Sequence, residues 1–304
     1  MLLLVAAQYV DLGVSVRAVI DTTPLAHYLD ALARPKSLVS GHRLLATGLK
    51  MLWRIRRAGV PIYFGASDIR ALGGDCLEAI AFRHAGRRRH LATQNLFLHQ
   101  GVIPNAPLAA AAGCRRVWDD DQCCWRIETD DEGRTSERTI LLAGDAARIR
   151  GAECAPLSGR LAALAAAHDI DRIDDETYRR QAAALKTQLK QKAAARLVID
   201  TLYRPSDAAR IPSDPQTVIC RCESVKAGEA QMFAREGGFD INQFKSEQRC
   251  GMGPCQGRMC APTLGAIVGH GRDRDTVAPL RARPPVYPVL LTELASLAER
   301  PGSA

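Results

Sequence analysis

Length, composition and charge describe an ordinary globular chain. It has 304 residues, of which 47% are hydrophobic and 5% aromatic, and its abundant alanine favours a helix-rich α/β fold large enough for two domains. The 41 basic and 33 acidic side chains leave a net charge of +8, but the arginines are spread along the chain and are not interleaved with aromatics, which argues against nucleic-acid binding.

The apolar residues 1–7 imitate the core of a signal peptide, but no basic residue precedes them, and the polar Gln8 and Asp11 follow closely. No apolar run reaches the length needed to cross a bilayer, so we expect no transmembrane segment. We also expect a cytoplasmic location, where thiols stay reduced and can bind metal.

The first elements along the chain are typical of half a nucleotide-binding domain. Residues 2–12 predict a helix that stops at Gly13, and residues 14–20 predict a buried parallel strand that ends at Asp21. In a dinucleotide-binding βαβ unit, an acidic residue at this place hydrogen-bonds a ribose hydroxyl, which makes Asp21 a candidate cofactor contact. No G-x-G-x-x-G turn precedes the helix, so Asp21 is equally well interpreted as a turn residue at a strand end.

The next residues continue the same region. Residues 42–58 predict a basic amphipathic helix with a solvated face, although such a helix could also lie on a membrane surface. A strand is predicted at residues 60–64, and residues 76–83 and 89–98 predict a hairpin. We therefore predict an incomplete, Rossmann-like nucleotide-binding domain over residues 1–98.

An apolar strand is predicted at residues 96–98, and it runs into the turn G-V-I-P-N at residues 101–105. This pattern is similar to the return strand of flavoproteins of the pyridine-nucleotide disulfide reductase type, where the chain passes from the nucleotide domain back to the flavin domain. The resemblance implies that Pro104 and Asn105 lie near a flavin.

A second stretch, residues 139–145, predicts a buried strand that ends in A-G-D and is followed by a small-residue helix at residues 157–167. It resembles the C-terminal FAD-contact motif of the same flavoproteins. The resemblance implies that Asp145 hydrogen-bonds a ribitol hydroxyl and that Gly144 lies beside the cofactor. The alternative is an aspartate that ends a strand and caps a helix. Residues 99–170 are therefore expected to form the C-terminal part of an FAD-binding domain.

The last third of the chain divides by composition. Residues 171–215 are polar and predict a helical connector and linker, whose proline-containing end at residues 205–215 marks a domain boundary. Residues 216–270 hold a dense group of cysteines. Residues 271–304 form a proline-rich tail, expected to be an extended segment over a neighbouring surface with a short helix at residues 290–297.

Half of the ten cysteines lie within residues 220–260, which needs a chemical cause. They are Cys220, Cys222, Cys250, Cys255 and Cys260. Disulfide frameworks are typical of small secreted chains, and zinc sites usually take thiolates in pairs that are more widely spaced than the C-x-C pair here. An iron–sulfur cluster needs four thiolates and backbone N–H donors, which the glycines at 251, 253 and 257 could supply. Spacing alone leaves zinc and iron–sulfur both open.

The residues between the cysteines predict a small helical holder. We expect Asp240 to cap a helix, with Gln243 at the reciprocal position of a capping box, and Pro262 to begin a last helix. Nearby cations would favour the reduced form of an anionic cluster, unless they are solvated surface charges. These cations are Arg221, Lys226, Lys245, Arg249 and Arg258.

The run G-M-G-P-C-Q-G-R-M-C at residues 251–260 resembles the [2Fe–2S] module of the bacterioferritin-associated-ferredoxin (BFD) type, in the version found at the C-terminal end of certain flavin dehydrogenase subunits. The resemblance implies a BFD-like domain over residues 216–270 with a cluster held by four cysteines. Those ligands are Cys220, Cys222, Cys255 and Cys260, with Cys250 as an alternate among the last three.

The motifs in this order resemble the FAD- and [2Fe–2S]-bearing subunit of heteromeric amino-acid or opine dehydrogenases. That family includes the A subunits of octopine and nopaline oxidases, the flavoprotein subunit of hydrogen cyanide synthase and a subunit of hydroxyproline dehydrogenase. The resemblance implies an oxidoreductase subunit that relays electrons through a cluster and FAD, from a substrate-oxidising flavoprotein partner to a downstream acceptor. It assigns no catalytic acid, base or nucleophile to this chain.

One departure from the family pattern matters. Family members begin with an FAD-binding strand and a glycine-rich loop, which this sequence lacks. We therefore expect a truncated member that could have lost its FAD and could be inactive alone. The alternative function is a non-catalytic iron–sulfur or zinc binding module without a competent flavin site.

Overall fold

A computed structural model describes residues 2–273 and 276–298 of the chain. Over these residues the fold is mixed α/β. The chain divides into two compact units of three stretches each. The first unit comprises Met1–Val102, Arg150–Leu157 and Gln181–Ser206, and the second comprises Ile103–Ile149, Ser158–Arg180 and Asp207–Ala304. The boundaries of the five regions predicted from the sequence stay predictions.

The first unit begins with helices around a short parallel pair of strands. Its elements are α1 (Leu2–Asp11), β1 (Val19–Ile20), α2 (Leu25–Leu32), α3 (Pro35–Ser40), α4 (His42–Arg57) and β2 (Ile62–Tyr63). The helices predicted at residues 2–12 and 42–58 are confirmed as α1 and α4. Their apolar faces pack together around the buried side chains of Ala7, Ile55 and Val60.

The parallel strands are shorter than the sequence predicts. The predicted strands at residues 14–20 and 60–64 keep two paired residues each, with Val19 opposite Ile62. A strand exists only where a neighbour takes part in its backbone hydrogen bonds, and in the described chain β1 and β2 pair only with each other.

An antiparallel sheet follows, with strands β3 (Ser67–Leu72), β4 (Ala79–His84) and β5 (Arg87–Ala92) in that order. The predicted hairpin is confirmed as β4 and β5, which turn at Ala85 and Gly86 with positive φ values of 49° and 75°, as two-residue hairpins prefer. The sequence does not predict β3, because this edge strand has mostly exposed side chains and only Ile69 is partly buried.

Two apolar runs that predict strands, residues 96–98 and 139–145, are not strands in the structure. Two of the three apolar side chains in the first run are exposed. In the second run, Leu141 forms an isolated bridge to Arg134, and residues 144–146 turn into a 3-10 helix. Both predictions are wrong because an apolar run becomes a strand only beside a neighbouring strand, and the described chain places none next to either run.

The middle of the chain contains a hairpin and two long helices. Its elements are α5 (Pro107–Ala111), β6 (Arg116–Asp119), β7 (Cys124–Ile127), α6 (Cys154–Asp169), α7 (Asp175–Leu202) and α8 (Asp207–Arg210). The helix predicted at residues 157–167 is confirmed within α6, and the helix predicted after residue 171 is confirmed as α7. None of the helices in the described residues combines the length and the apolarity that crossing a membrane requires.

The C-terminal part of the second unit is a small helical fold. Its elements are β8 (Val218–Cys220), β9 (Val225–Lys226), α9 (Ala227–Arg235), α10 (Ile241–Gln248), α11 (Ala261–Val268) and α12 (Leu291–Ala298). The core of this fold includes Phe244, Leu264 and Val268, none of them more than 1% exposed. Residues 276–290, here called the tail segment, lie between α11 and α12 and contain no strand and no α-helix.

The predicted helix ends around the cysteines are partly confirmed. Asp240 caps α10, because its carboxylate accepts the backbone N–H of Asn242 at 2.8 Å. Pro262 lies in the first turn of α11. The predicted capping box is wrong, because the amide of Gln243 donates to Glu247 at 2.9 Å, one turn further along the helix.

Candidate metal centre

Three buried cysteines meet where β8 ends, α10 ends and α11 begins. The sulfur atoms of Cys220, Cys250 and Cys260 all lie within 4.8 Å of one another, and each residue is at most 1% exposed. Cys220 is the last residue of β8, Cys250 follows the C-cap of α10, and Cys260 is the N-cap of α11. When two thiolate sulfurs each lie about 2.3 Å from the same metal ion, they are at most about 4.6 Å apart. The observed distances between the sulfurs are therefore close to those of a shared metal site.

The other two cysteines of the run, Cys222 and Cys255, contact each other. The exposed Cys222 and the half-buried Cys255 interact through their thiols, and the backbone N–H of Cys255 also acts on the sulfur of Cys222. Burial raises the pKa of Cys255, but the backbone N–H of Met259 and the thiol of Cys222 bring that pKa below its ordinary value. Cys222 also interacts electrostatically with Cys220, and Cys255 with Cys260, so the pair lies beside the buried three.

Three glycines bring the backbone close to the cysteines. A side-chain carbon at Gly253 would lie 2.2 Å from the Cβ of Cys222, which is too close for any other residue. Gly251 and Gly257 have positive φ values of 86° and 80°, and a side-chain carbon at either would overlap Leu280, at 2.7 and 2.3 Å. Close packing around the cysteines therefore requires the glycines of this run.

The five cations predicted around the cysteines differ in their contacts. Arg249 donates to the carboxylate of Glu223 at 2.9 Å, and Lys226 donates to the side-chain carbonyl of Gln216 at 2.7 Å. Lys245 interacts electrostatically with Cys260, although burial lowers its pKa. Nη1 of Arg258 is buried and has no hydrogen-bond acceptor in the described part of the chain. Lys245 is therefore the cation whose charge acts on a cysteine of the site, and Arg258 interacts with Cys255 through its backbone N–H.

The residues present fit a metal group held by thiolates. The buried group contains sulfur donors alone, which suit zinc or an iron–sulfur cluster. Hydrogen bonding to Cys250 and burial raise the pKa of Cys260, and a bound metal cation would offset this by stabilising the thiolate. The donor types fit zinc and iron–sulfur equally.

The two turns predicted to contact a flavin lie together in the second unit. The backbone N–H of Asn105 donates to the carbonyl of Asp145 at 3.3 Å, and the N–H of Gly144 donates to Oγ of Ser158 at 2.8 Å. Pro104 is buried, whereas Asn105 and Asp145 are exposed. The backbones of the two turns therefore meet, and each turn carries an exposed polar side chain.

Asp21, the other predicted cofactor contact, belongs to the first unit and is engaged locally. Its carboxylate accepts the backbone N–H of Thr23 at 2.7 Å and the hydroxyl of Tyr28 at 3.2 Å. Burial and the nearby Asp21 raise the pKa of Tyr28, which keeps its hydroxyl proton available as a donor. These are the contacts of a turn residue at a strand end, and the ribose contact stays a prediction.

The tail segment contributes contacts that no sequence motif indicates. The side chain of Leu280 packs over the glycines of the cysteine run, and its carbonyl accepts Nη1 of Arg116 at 2.7 Å. The guanidinium of Arg258 lies 4.3 Å from the ring centroid of Tyr287. These partners are far apart in the sequence, so local spacing carries no signal of them.

Two known proteins are similar to the chain over almost all of its length. The A subunit of opine oxidase from Agrobacterium tumefaciens (strain Ach5) is 37% identical over 302 residues, which are 98% of this chain and 59% of that protein. Hydrogen cyanide synthase subunit HcnB of Pseudomonas aeruginosa is 30% identical over 312 residues, which are 97% of this chain and 64% of that protein. The chain thus spans about three fifths of the length of these relatives. No model of a known protein family matches it.

A solved structure has a similar fold. The crystal structure of L-proline dehydrogenase from P. horikoshii matches with a TM-score of 0.61 and 19% sequence identity, over 82% of this chain and 48% of that chain. At this identity the likeness concerns the fold alone, and it confirms the α/β fold class that the sequence predicts.

Proposed function

We propose that the chain is an oxidoreductase subunit of the opine oxidase A subunit family, over the part of that protein that it spans. The complete enzyme is a heteromeric dehydrogenase that oxidises an amino acid or an opine, and this chain relays the electrons. The names of its relatives support this, since one is a subunit of an opine oxidase and another a subunit of hydrogen cyanide synthase. The observation that carries the proposal is the convergence of all five cysteines of the run. Cys220, Cys250 and Cys260 form one buried group, and the interacting pair Cys222 and Cys255 lies beside it.

The proposed group at this site is a [2Fe–2S] cluster in a BFD-like domain. Its ligands are Cys220, Cys222, Cys255 and Cys260, with Cys250 as the alternate. When bound, such a cluster would accept and pass on single electrons, and FAD would take up the two electrons of a hydride and release them one at a time. The chain's own contribution is to exclude water from the buried sulfurs, to approach them through glycine backbone and to place the charge of Lys245 nearby.

Flavin contact is proposed for the paired turns of the second unit. The exposed carboxylate of Asp145 would accept a hydrogen bond from a ribitol hydroxyl, with Gly144, Pro104 and Asn105 beside the cofactor. The hydrogen bond between Asn105 and Asp145 supports this arrangement, because it fixes the two turns relative to each other. Asp21 is the proposed ribose contact of the first unit.

The proposed partners follow from the same chemistry. A flavoprotein subunit removes a hydride from the carbon that carries the substrate's nitrogen, which oxidises the carbon–nitrogen bond, and a downstream acceptor receives the electrons from this chain. Neither step needs an acid, base or nucleophile here, and we assign none. The proposed location is cytoplasmic, where reduced thiols can hold a cluster.

Anaerobic purification followed by metal, sulfide and flavin analysis tests the proposal. We expect about two irons and two acid-labile sulfides per chain, together with flavin. Cys222→Ser should lose the iron and Cys250→Ser should keep it. Iron loss from Cys250→Ser alone would move the ligand assignment to the alternate, and zinc without iron would contradict the electron relay.

A second function is a non-catalytic metal-binding module. The local hydrogen bonds of Asp21 favour it, because both of its neighbours compete with a ribose for the carboxylate. The all-thiolate donor set also suits zinc. Iron without flavin would indicate this module with an intact cluster, and zinc alone would indicate a structural site.

A further inference from the structure

The tail segment is built into the cysteine fold. Val277 is buried in its core, and the backbone N–H of Arg281 donates to the side-chain carbonyl of Asn242 at 2.8 Å. Nζ of Lys245 donates to the carbonyl of Arg281 at 3.1 Å. Together with the packing of Leu280, these contacts fix the path of the tail segment past the cysteines.

Tyr287, near the end of this path, contacts two candidate sites at once. Its hydroxyl lies 3.1 Å from Nδ2 and 3.2 Å from Oδ1 of Asn105, in the turn proposed to contact flavin. Its ring faces the guanidinium of Arg258, whose backbone N–H interacts with Cys255. Asn105 and Arg258 both belong to the second unit, as Tyr287 does.

The ring of Tyr287 restricts the place of the Arg258 charge. A guanidinium 4.3 Å from a ring centroid is held by a cation–π attraction. The same guanidinium has one buried nitrogen without an acceptor in the described chain, so the aromatic face offsets part of the cost of keeping it out of water. Without the ring, the flexible arginine side chain would gain hydration by turning outward.

We propose that Tyr287 is a positioning residue that holds the Arg258 cation beside the cysteine centre and fixes that centre to the Asn105 turn. The inference rests on the proposed function, which supplies the redox group. A cation held near an anionic cluster stabilises the reduced, more negative form. Tyr287 therefore sets how readily the centre accepts an electron, through Arg258, and where the centre lies relative to the proposed flavin turn, through its hydroxyl.

Two variants separate these contacts. Tyr287→Phe keeps the ring face and loses the hydroxyl, so the reduction potential should stay the same while hydrogen exchange in the tail segment becomes faster. Tyr287→Leu loses both contacts. Its equilibrium constant for one-electron reduction should fall three- to tenfold, and a tenfold fall corresponds to about 59 mV. Tyr178→Phe, a tyrosine in the same unit that stacks on His168, is the matched control and should change neither quantity.

A double-mutant cycle shows whether Tyr287 acts through Arg258. In an Arg258→Met background, Tyr287→Leu should shift the potential no further. Iron content and the reduced spectrum of the unchanged chain test the proposed function separately. If the unchanged chain holds a reducible cluster and Tyr287→Leu leaves its potential unmoved, the positioning role is wrong and the proposed function stands. If the unchanged chain holds zinc alone, both are wrong.

Discussion

The cysteine region of the second unit and the nucleotide-like region of the first unit differ in how completely they form a site. Around residues 220–260, side chains forty residues apart in sequence meet in one buried group, and glycines and the tail segment pack closely around it. In the first unit, the candidate Asp21 is engaged by its own neighbours, and a large apolar side chain such as Leu25 is 73% exposed. A ligand site whose residues all come from one small fold needs no other part of the protein. A site at the edge of a parallel sheet also needs strands from distant parts of the sequence.

The largest effect should come from removing a buried thiol. Cys260→Ser should lower metal affinity by at least about tenfold, since even the partners of metal ligands cost that much when changed. Cys154→Ser, a buried thiol of the first unit, is the matched control and should keep the metal. Metal content by mass spectrometry, together with far-UV circular dichroism, separates ligand loss from misfolding. Equal metal in both variants would contradict the claim that Cys260 is a metal ligand.

A core change in the first unit sharpens the comparison from the other side. Phe82 is 1% exposed and packs edge-on against Tyr63, with the two ring centroids 5.0 Å apart. Phe82→Ala should therefore lower the free energy of unfolding by about 3–5 kcal/mol. Denaturant unfolding measures this loss. The metal content should stay unchanged, because the cysteines lie in the second unit. A parallel loss of metal would mean that the two regions fold together.

The glycine packing around the cysteines predicts an intermediate effect. Gly253→Ala places a carbon 2.2 Å from Cys222 and should cost about 1–3 kcal/mol and part of the bound metal. Gly265→Ala, in helix α11, meets nothing within 4 Å and should stabilise the fold by about 0.5–1 kcal/mol. Thermal unfolding measures both changes in stability, a loss for Gly253→Ala and a gain for Gly265→Ala. Destabilisation by Gly265→Ala would contradict the packing argument.

The smallest effect is expected at Asp21. Asp21→Ala removes the acceptor for the N–H of Thr23 and the hydroxyl of Tyr28, which should cost about 1 kcal/mol of stability. Flavin content should also fall, since Asp21 is the proposed ribose contact of the first unit. Unchanged flavin together with lower stability would leave Asp21 with its local contacts alone.

How far the sequence predicts the structure depends on the range of the contacts. Helices α1, α4 and α11, the hairpin of β4 and β5 and the cap at Asp240 follow local patterns and are confirmed. The runs at residues 96–98 and 139–145 are apolar enough for strands but lack neighbouring strands, which a local pattern cannot reveal.

The candidate site shows the same limit. Spacing and residue type predict that the cysteines form one metal site, because residues 220–260 contain closely spaced thiols and short turns. The contacts of Leu280 with the glycines and of Tyr287 with Arg258 join distant parts of the chain, so only the fold reveals them. Whether Cys250 is one of the four ligands also depends on three-dimensional placement, and the Cys222→Ser and Cys250→Ser variants decide it.

The central claim, that these cysteines hold a redox-active cluster, is tested most directly by stepwise anaerobic reduction of the purified chain under electron paramagnetic resonance. We predict a signal of about one unpaired electron per chain that appears on reduction, vanishes on reoxidation and is missing from Cys222→Ser. A chain that stays diamagnetic throughout while holding stoichiometric zinc would contradict the account.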